Sequence, residues 1–395
     1  MMNALSPYLA TRPIRCDIFC VVVDNYGDAG VCWRLARQLA EEYGWQVRLY
    51  IDNPAPLDLL APDHAQSPVT VAPWPHLLPP DAPHDSPADV VIETFACTLP
   101  EVYTEAMARS EKKPVWLNLD YLSAEDWVGE LHGMPSPHPH LPLVKHFFFP
   151  GFGKRSGGLL READYDTRRQ AFDAAAFRAQ LGLPEKAPNE LTISLFSYPT
   201  APVAQLTQAL AQADRPIRLL QPGSNAAAFT QGAFSTHPLP FLSQSRFDEL
   251  LWACDVNFVR GEDSFVRAQW AGKPFVWQIY PQADDAHWVK LDAFLHRYMR
   301  KIGADDAPQS FESDRRECLN PLLGRAVSGK SPWGTAIDAI STFWHAWNGK
   351  GELNWPAFAA ALPALASATQ RWSVALADQT NLASNLVQFC LERLK

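Results

Sequence analysis

No run of apolar residues in this chain is long enough to cross a bilayer as a helix. The opening residues, with Ser6, Pro7, Thr11, Arg12 and Pro13 among them, lack a signal-peptide core. A soluble, cytoplasmic protein is the expectation. Basic residues are in deficit: 34 Lys and Arg against 43 Asp and Glu leave a formal net charge of −9. That balance argues against a broad nucleic-acid surface, which needs clustered cations, and suits a cationic or locally cationic partner. The cysteines, at 16, 20, 32, 97, 254, 318 and 390, are odd in number and form no CxxC pair, which predicts free buried thiols in a reducing compartment. Cys16 and Cys20 share one strand face by spacing and read as core. Apolar residues are plentiful, at 47% with 14 tryptophans, which excludes a disordered chain, and 395 residues are enough for two domains with full cores.

The most informative segment is Asp24-Asn25-Tyr26-Gly27-Asp28-Ala29-Gly30-Val31-Cys32. Before it, Asp17 to Val23 is a near-continuous apolar run, read as a strand covered on both faces of a parallel sheet. After it, Val31 to Tyr43 reads as a helix. Two carboxylates four apart therefore lie on a glycine-bearing turn beyond the carboxyl end of a strand, where open α/β sheets bind ligands. Simple capping of turn and helix by Asp24 and Asp28 is the competing reading. Gly27-Asp28-Ala29-Gly30 departs from the G-x-G-x-x-G pattern, which disfavours a nicotinamide enzyme.

Further strands are predicted at Gln46–Ile51, Ala88–Glu93 and Pro114–Leu119, the alternation of a doubly wound sheet. Pro54 to Pro87 is too punctuated for regular helix. His138, His140 and His146 lie close in sequence, but no carboxylate or cysteine completes a familiar metal spacing, and an ordinary loop is expected. Gly153-Lys154-Arg155-Ser156-Gly157-Gly158 is only a weak anion-loop signal, since it lacks GxxxxGK[ST]. Leu183 to Asn189, polar and carrying two prolines, is the expected interdomain linker. The α/β alternation then restarts: strands at Leu191–Phe196, Ile217–Leu220 and Val256–Val259, and helices near Pro202–Ala213, Ser243–Ala253 and Phe265–Ala271.

The densest chemistry of the second half is Arg260-Gly261-Glu262-Asp263-Ser264, after a short strand and before a helix that Gly272 and Pro274 stop. Asp263 or Ser264 would stand at the helix start, an anion site suited to a diphosphate. Capping explains those two residues but not Arg260 and Glu262. A carboxylate repels a diphosphate, so Glu262 is assigned to sugar or loop positioning. Trp333, Trp344, Trp347 and Trp355 read as core or domain-interface residues.

Together, DNYGDAGVCWRLARQLA, the PGF segment with GGLLRE after it, LFSYP and RGEDSFVRAQWAGKPFVWQIYPQ resemble the elongation factor P arginine rhamnosyltransferases. These segments run from about residue 17 to 282. The resemblance implies an α/β, GT-B architecture: two Rossmann-like domains facing across an interdomain cleft. The boundaries expected are 1–184 for an acceptor-binding domain and 189–370 for a nucleotide-sugar-binding domain. A C-terminal helix within 371–395 is expected to return to the first. It further implies inverting transfer of L-rhamnose from dTDP-β-L-rhamnose to one arginine of elongation factor P. Carried over by motif, Asp24 becomes the general base and Asp28 its partner on the acceptor arginine. Glu262, Asp263 and Ser264 form the donor motif, the last two meeting the diphosphate through backbone N–H groups. Phe196 and Tyr198 stand near the nucleotide, and Phe241 and Gln244 near the thymine ring.

The chemistry asks for such groups independently. A guanidinium, with a pKa above about 12, is a poor nucleophile that carboxylates can grip and deprotonate as the C–N bond forms. A helix start with Arg260 and Tyr198 nearby can stabilise the leaving diphosphate, so neither a cofactor nor an essential divalent ion is expected. Two alternatives stay open: a GT-B transferase or epimerase with another acceptor, and a nucleotide-binding regulatory module without turnover.

Overall fold

The computed structural model describes residues 12–24, 26–74, 86–282, 284–300 and 332–394, the side chains of 332 and 333 apart. Asn25, Cys318, the Trp333 side chain and part of the Pro54 to Pro87 stretch lie outside the described residues. The chain forms two compact units, Met1–Arg168 with Gln379–Lys395, and Arg169–Asp378. Leu183 to Asn189 thus falls inside the second unit, and the C-terminal segment belongs to the first.

The first unit contains β1 (Arg15–Cys20), α1 (Gly27–Glu41), β2 (Gln46–Ile51), α2 (Ala55–Leu60), β3 (Thr70–Pro73) and β4 (Val90–Thr94). It continues with α3 (Glu101–Arg109), β5 (Val115–Leu119), α4 (Val128–Leu131), β6 (Pro135–Pro137), β7 (Val144–Phe148) and α5 (Tyr165–Gln170), the last reaching the boundary. Its strands pair in the order β3-β2-β1-β4-β5-β7-β6. All pairs are parallel except β6 with β7. Helix α2 starts on prolines tolerated in a first turn, so the described part of the stretch read as irregular holds α2, a 3-10 turn at His64–Gln66 and β3. Phe19, Tyr50, Trp74, Tyr103 and Trp116 pack one core, Phe19 fully buried; sealing such a ring from water contributes about 2–3 kcal/mol.

The second unit contains α6 (Ala174–Gln180), β8 (Leu191–Leu195), α7 (Val203–Ala211), β9 (Ile217–Pro222), β10 (Phe229–Gln231) and β11 (Phe234–Leu239). Then come α8 (Gln244–Ala253), β12 (Val256–Arg260), α9 (Asp263–Ala271), β13 (Phe275–Gln278), α10 (Ala286–Met299), α11 (Pro332–Trp347) and α12 (Trp355–Ala377). The strand order is β10-β11-β9-β8-β12-β13, antiparallel only at β10 with β11. Its core is aromatic: Phe265 stacks on Trp277 at 3.9 Å, and Trp344 and Trp372 pack on Phe294. Trp344, Trp347 and Trp355 are buried, as are Cys16 and Cys20 in β1.

The last helix, α13 (Leu382–Arg393), docks on the first unit through glycine. Leu382 N donates to Leu159 O at 2.9 Å and Asn385 Nδ2 to Gly157 O at 2.9 Å. Gly158 has φ +82, and a Cβ there would lie 2.5 Å from Thr380 O. The glycines of the loop read as a weak anion signal therefore let the terminal segment approach.

Candidate active site

Strand β1 ends at Cys20, three residues short of the apolar run that announces it, and Val23 is 65% exposed. Side chains, not a neighbouring strand, take the amides beyond it. Asp52, just past β2, accepts from Val22 N at 2.9 Å. Asp28, in the first turn of α1, reaches back so that its Oδ2 accepts from Val23 N at 2.9 Å and Asp24 N at 2.8 Å. Tyr26 is the cap residue of α1 and makes no side-chain cap, so Asp28 fixes the approach to the helix instead of capping it. The Asp28 carboxylate is 3% exposed, and among the described residues nothing donates to its Oδ1. Burial pushes its carboxyl above the ordinary aspartate value. The two amides pull it back, while Asp24 and Asp52 push it up again.

Asp24 is half-buried, and its carbonyl accepts from Gly27 N at 2.7 Å. A Cβ on Gly27 would lie 2.7 Å from Asp24 Oδ2 and 3.3 Å from its Cγ. Gly27 is therefore required by space at the carboxylate and not by its own backbone angles.

The neighbouring strand ends carry features that sequence reading did not single out. After β4, Phe95 and Ala96 both have φ 55, a left-handed conformation costing about 1–2 kcal/mol per non-glycine residue. Phe95 N donates to Leu119 O at 2.7 Å and Cys97 N to Thr94 O at 3.0 Å, which locks the turn. The Phe95 ring stacks on Tyr121, just past β5, with centroids 4.5 Å apart. The one legible signal was the ETFAC segment following a buried strand, and nothing in its composition predicts two left-handed residues.

In the second unit, Glu262 is the cap residue of α9, half-buried and without a side-chain cap. The two motif residues after it turn inward. Asp263 Oδ2 accepts from Arg267 Nε at 3.1 Å and Gln244 Nε2 at 3.0 Å, and Arg267 also pairs with Asp248 at 2.9 Å. Ser264 Oγ accepts from Arg260 N at 3.0 Å and donates back to Arg260 O. With those side chains committed, the first-turn N–H groups of α9 are what the motif offers a ligand, and the helix dipole favours an anion there. The Arg260 guanidinium lies 4.4 Å over Phe196 and 4.7 Å over Tyr198, with Nη1 donating to Ser197 O at 3.3 Å. Gln278, also unforeseen, holds Tyr198 by accepting from its backbone N at 2.7 Å. Phe241 lies against Gly223, whose φ is +71. The fold thus brings Phe196, Tyr198, Arg260 and Ser264 into one cluster and pairs Gln244 with Asp263.

Elsewhere, His138 Nδ1 accepts from His140 N and Leu141 N, ordinary turn bonding. Among the described residues no three His, Cys, Asp or Glu side chains are grouped to hold a metal, and no helix is long and apolar enough to cross a membrane.

The family described as Elongation-Factor P (EF-P) rhamnosyltransferase EarP matches residues 16–317 and 316–391. A protein-arginine rhamnosyltransferase from Pseudomonas putida is 43% identical, covering 94% of this chain and 97% of that one. Another from Neisseria meningitidis is 42% identical over 80% and 86% of the two chains. A solved structure described as the structural basis for EarP-mediated arginine glycosylation of translation elongation factor EF-P is 33% identical. It covers 95% of this chain and 98% of its own, with a TM-score of 0.59. The spinosyn rhamnosyltransferase SpnG, complexed with thymidine diphosphate, shares the fold at 10% identity and TM-score 0.50, covering 95% and 99%. With its two mostly parallel sheets flanked by helices, the chain has the GT-B glycosyltransferase fold.

Proposed function

This chain belongs to the EarP family of elongation factor P rhamnosyltransferases, and from that premise we propose how its residues carry out the transfer. It is a protein-arginine rhamnosyltransferase whose acceptor is elongation factor P. The first unit takes the acceptor arginine, and the second takes dTDP-β-L-rhamnose. The work is done in the cytoplasm, where a translation factor is found.

The observation that carries the assignment is the Asp28 carboxylate, buried, anchored by one oxygen to two amides and lifted toward basicity by burial. Such a group keeps its geometry while its second oxygen exchanges a proton. Asp24, held against Gly27, supplies the second negative charge. Together they grip a guanidinium through charge-assisted hydrogen bonds and accept the proton released as nitrogen attacks the anomeric carbon. Burial and the two anchoring amides support Asp28 as that acceptor; the family resemblance makes Asp24 the general base, while the sequence itself leaves the roles of the two undivided.

Single displacement with inversion expels the diphosphate on the side away from the arginine. The charge developing there suits the first-turn N–H groups of α9, with Arg260 held over the Phe196 and Tyr198 rings as the fixed cation. Asp263 and Ser264 act through the backbone, since their side chains brace the turn. Glu262 orients sugar hydroxyls, while Phe241 and Gln244 border the thymine. The test is mass spectrometry of elongation factor P incubated with enzyme and dTDP-β-L-rhamnose. A gain of one deoxyhexose on a single arginine is expected; an unmodified factor, or sugar on another residue, contradicts the proposal.

A further inference from the structure

Two consecutive left-handed residues after β4, neither of them glycine, are an outlier that the fold does not need. Glycine would close the same turn, with its Phe95 N to Leu119 O and Cys97 N to Thr94 O bonds, without the steric conflict. Strain of this kind persists where a side chain is wanted at a particular point. The side chain here is an aromatic ring, half-buried and stacked on Tyr121.

Strands β1, β4 and β5 are parallel neighbours, with Phe19 beside Glu93 and Thr94 beside Leu119. Their carboxyl ends therefore lie along one sheet edge. The Asp24 turn follows the first of them, Phe95 the second and Tyr121 the third. Carboxylates satisfy the in-plane N–H donors of a guanidinium but leave its faces bare. A planar cation of that kind binds an aromatic face well, because the ring quadrupole attracts it and little hydration is lost.

Resting on the acceptor reading above, we infer that Phe95, braced by Tyr121, is the stacking platform that orients the acceptor arginine against the Asp24 and Asp28 carboxylates. Phe95 is an acceptor-positioning residue. It has no part in donor binding.

The experiment measures steady-state transfer to full-length elongation factor P at saturating dTDP-β-L-rhamnose, dTDP affinity by calorimetry, and melting temperature. Three variants of the full chain are compared: Phe95→Gly, Phe95→Leu and Phe95→Tyr. Phe95→Gly relieves the strained backbone and removes the ring. Its melting temperature is expected to hold or rise while kcat/KM for the factor falls about tenfold, the scale of a partly desolvated cation–π contact. Phe95→Leu keeps side-chain bulk without the ring and should fall similarly, whereas Phe95→Tyr should stay within about threefold of wild type. The affinity for dTDP should be unchanged throughout. Wild-type kcat/KM in Phe95→Leu overturns the inference alone, whether or not Phe95→Gly folds. Absence of transfer by the wild-type enzyme overturns the acceptor reading and this inference together.

Discussion

Gly27 and Asp28 show how much of the proposed chemistry depends on single atoms. A methyl group on Gly27 would displace the Asp24 carboxylate, yet alanine is the better helix former at the start of α1. Gly27→Ala should therefore keep or slightly raise the melting temperature while lowering kcat about a hundredfold, the cost of an ångström-scale misplacement; calorimetric melting and transfer rates check both halves. For Asp28 the sign of the pH effect follows from its raised carboxyl value. Protonation in the native state persists to higher pH than in the unfolded chain. The associated stabilisation is complete below the ordinary value of 3.8 and is lost as pH rises through the folded value. At neutral pH the ionised group is thus a burden on stability, so Asp28→Asn should melt close to wild type. The acid limb of the wild-type kcat profile should lie above the pH at which an ordinary aspartate titrates.

Among the elements, the strand–turn–helix around Asp24 was legible because its apolar run, glycine and acids sit next to one another in the chain. The true end of β1 was not, since the amides of Val22 and Val23 are taken by Asp52 and Asp28 and no local signal reports that. The start of α9 was legible from Gly272 and Pro274 after it and the short strand before it. The inward commitment of Asp263 depends on Gln244 and Arg267, of which Gln244 is remote in sequence. Helix α13 offers an elementary test of packing. Gly158→Ala forces a left-handed alanine against Thr380 O and should destabilise the chain by more than about 1 kcal/mol, read as a lower melting temperature. Arg260→Ala should weaken dTDP binding by about tenfold, as removal of a charge-assisted contact does, without altering the melting temperature comparably.

At the scale of the whole molecule, length and alternation were sufficient to read two α/β units, because each βα repeat carries its own periodicity. The division between them was harder: α5 runs across the boundary, and a proline-bearing segment such as Leu183 to Asn189 signals a break in helix equally well within a unit. The donor chemistry is assigned entirely to N–H groups and Arg260, so excess chelator should leave the transfer rate unchanged; its abolition would require a metal in the reaction. The division of substrates between the units is tested most directly by Asp28→Asn, assayed in parallel for dTDP affinity by calorimetry and for single-turnover transfer to elongation factor P. Affinity within about threefold of wild type and transfer slowed by about a hundredfold or more is the expected result for loss of a general base. Transfer at the wild-type rate, or donor affinity lost in step with transfer, would contradict the account.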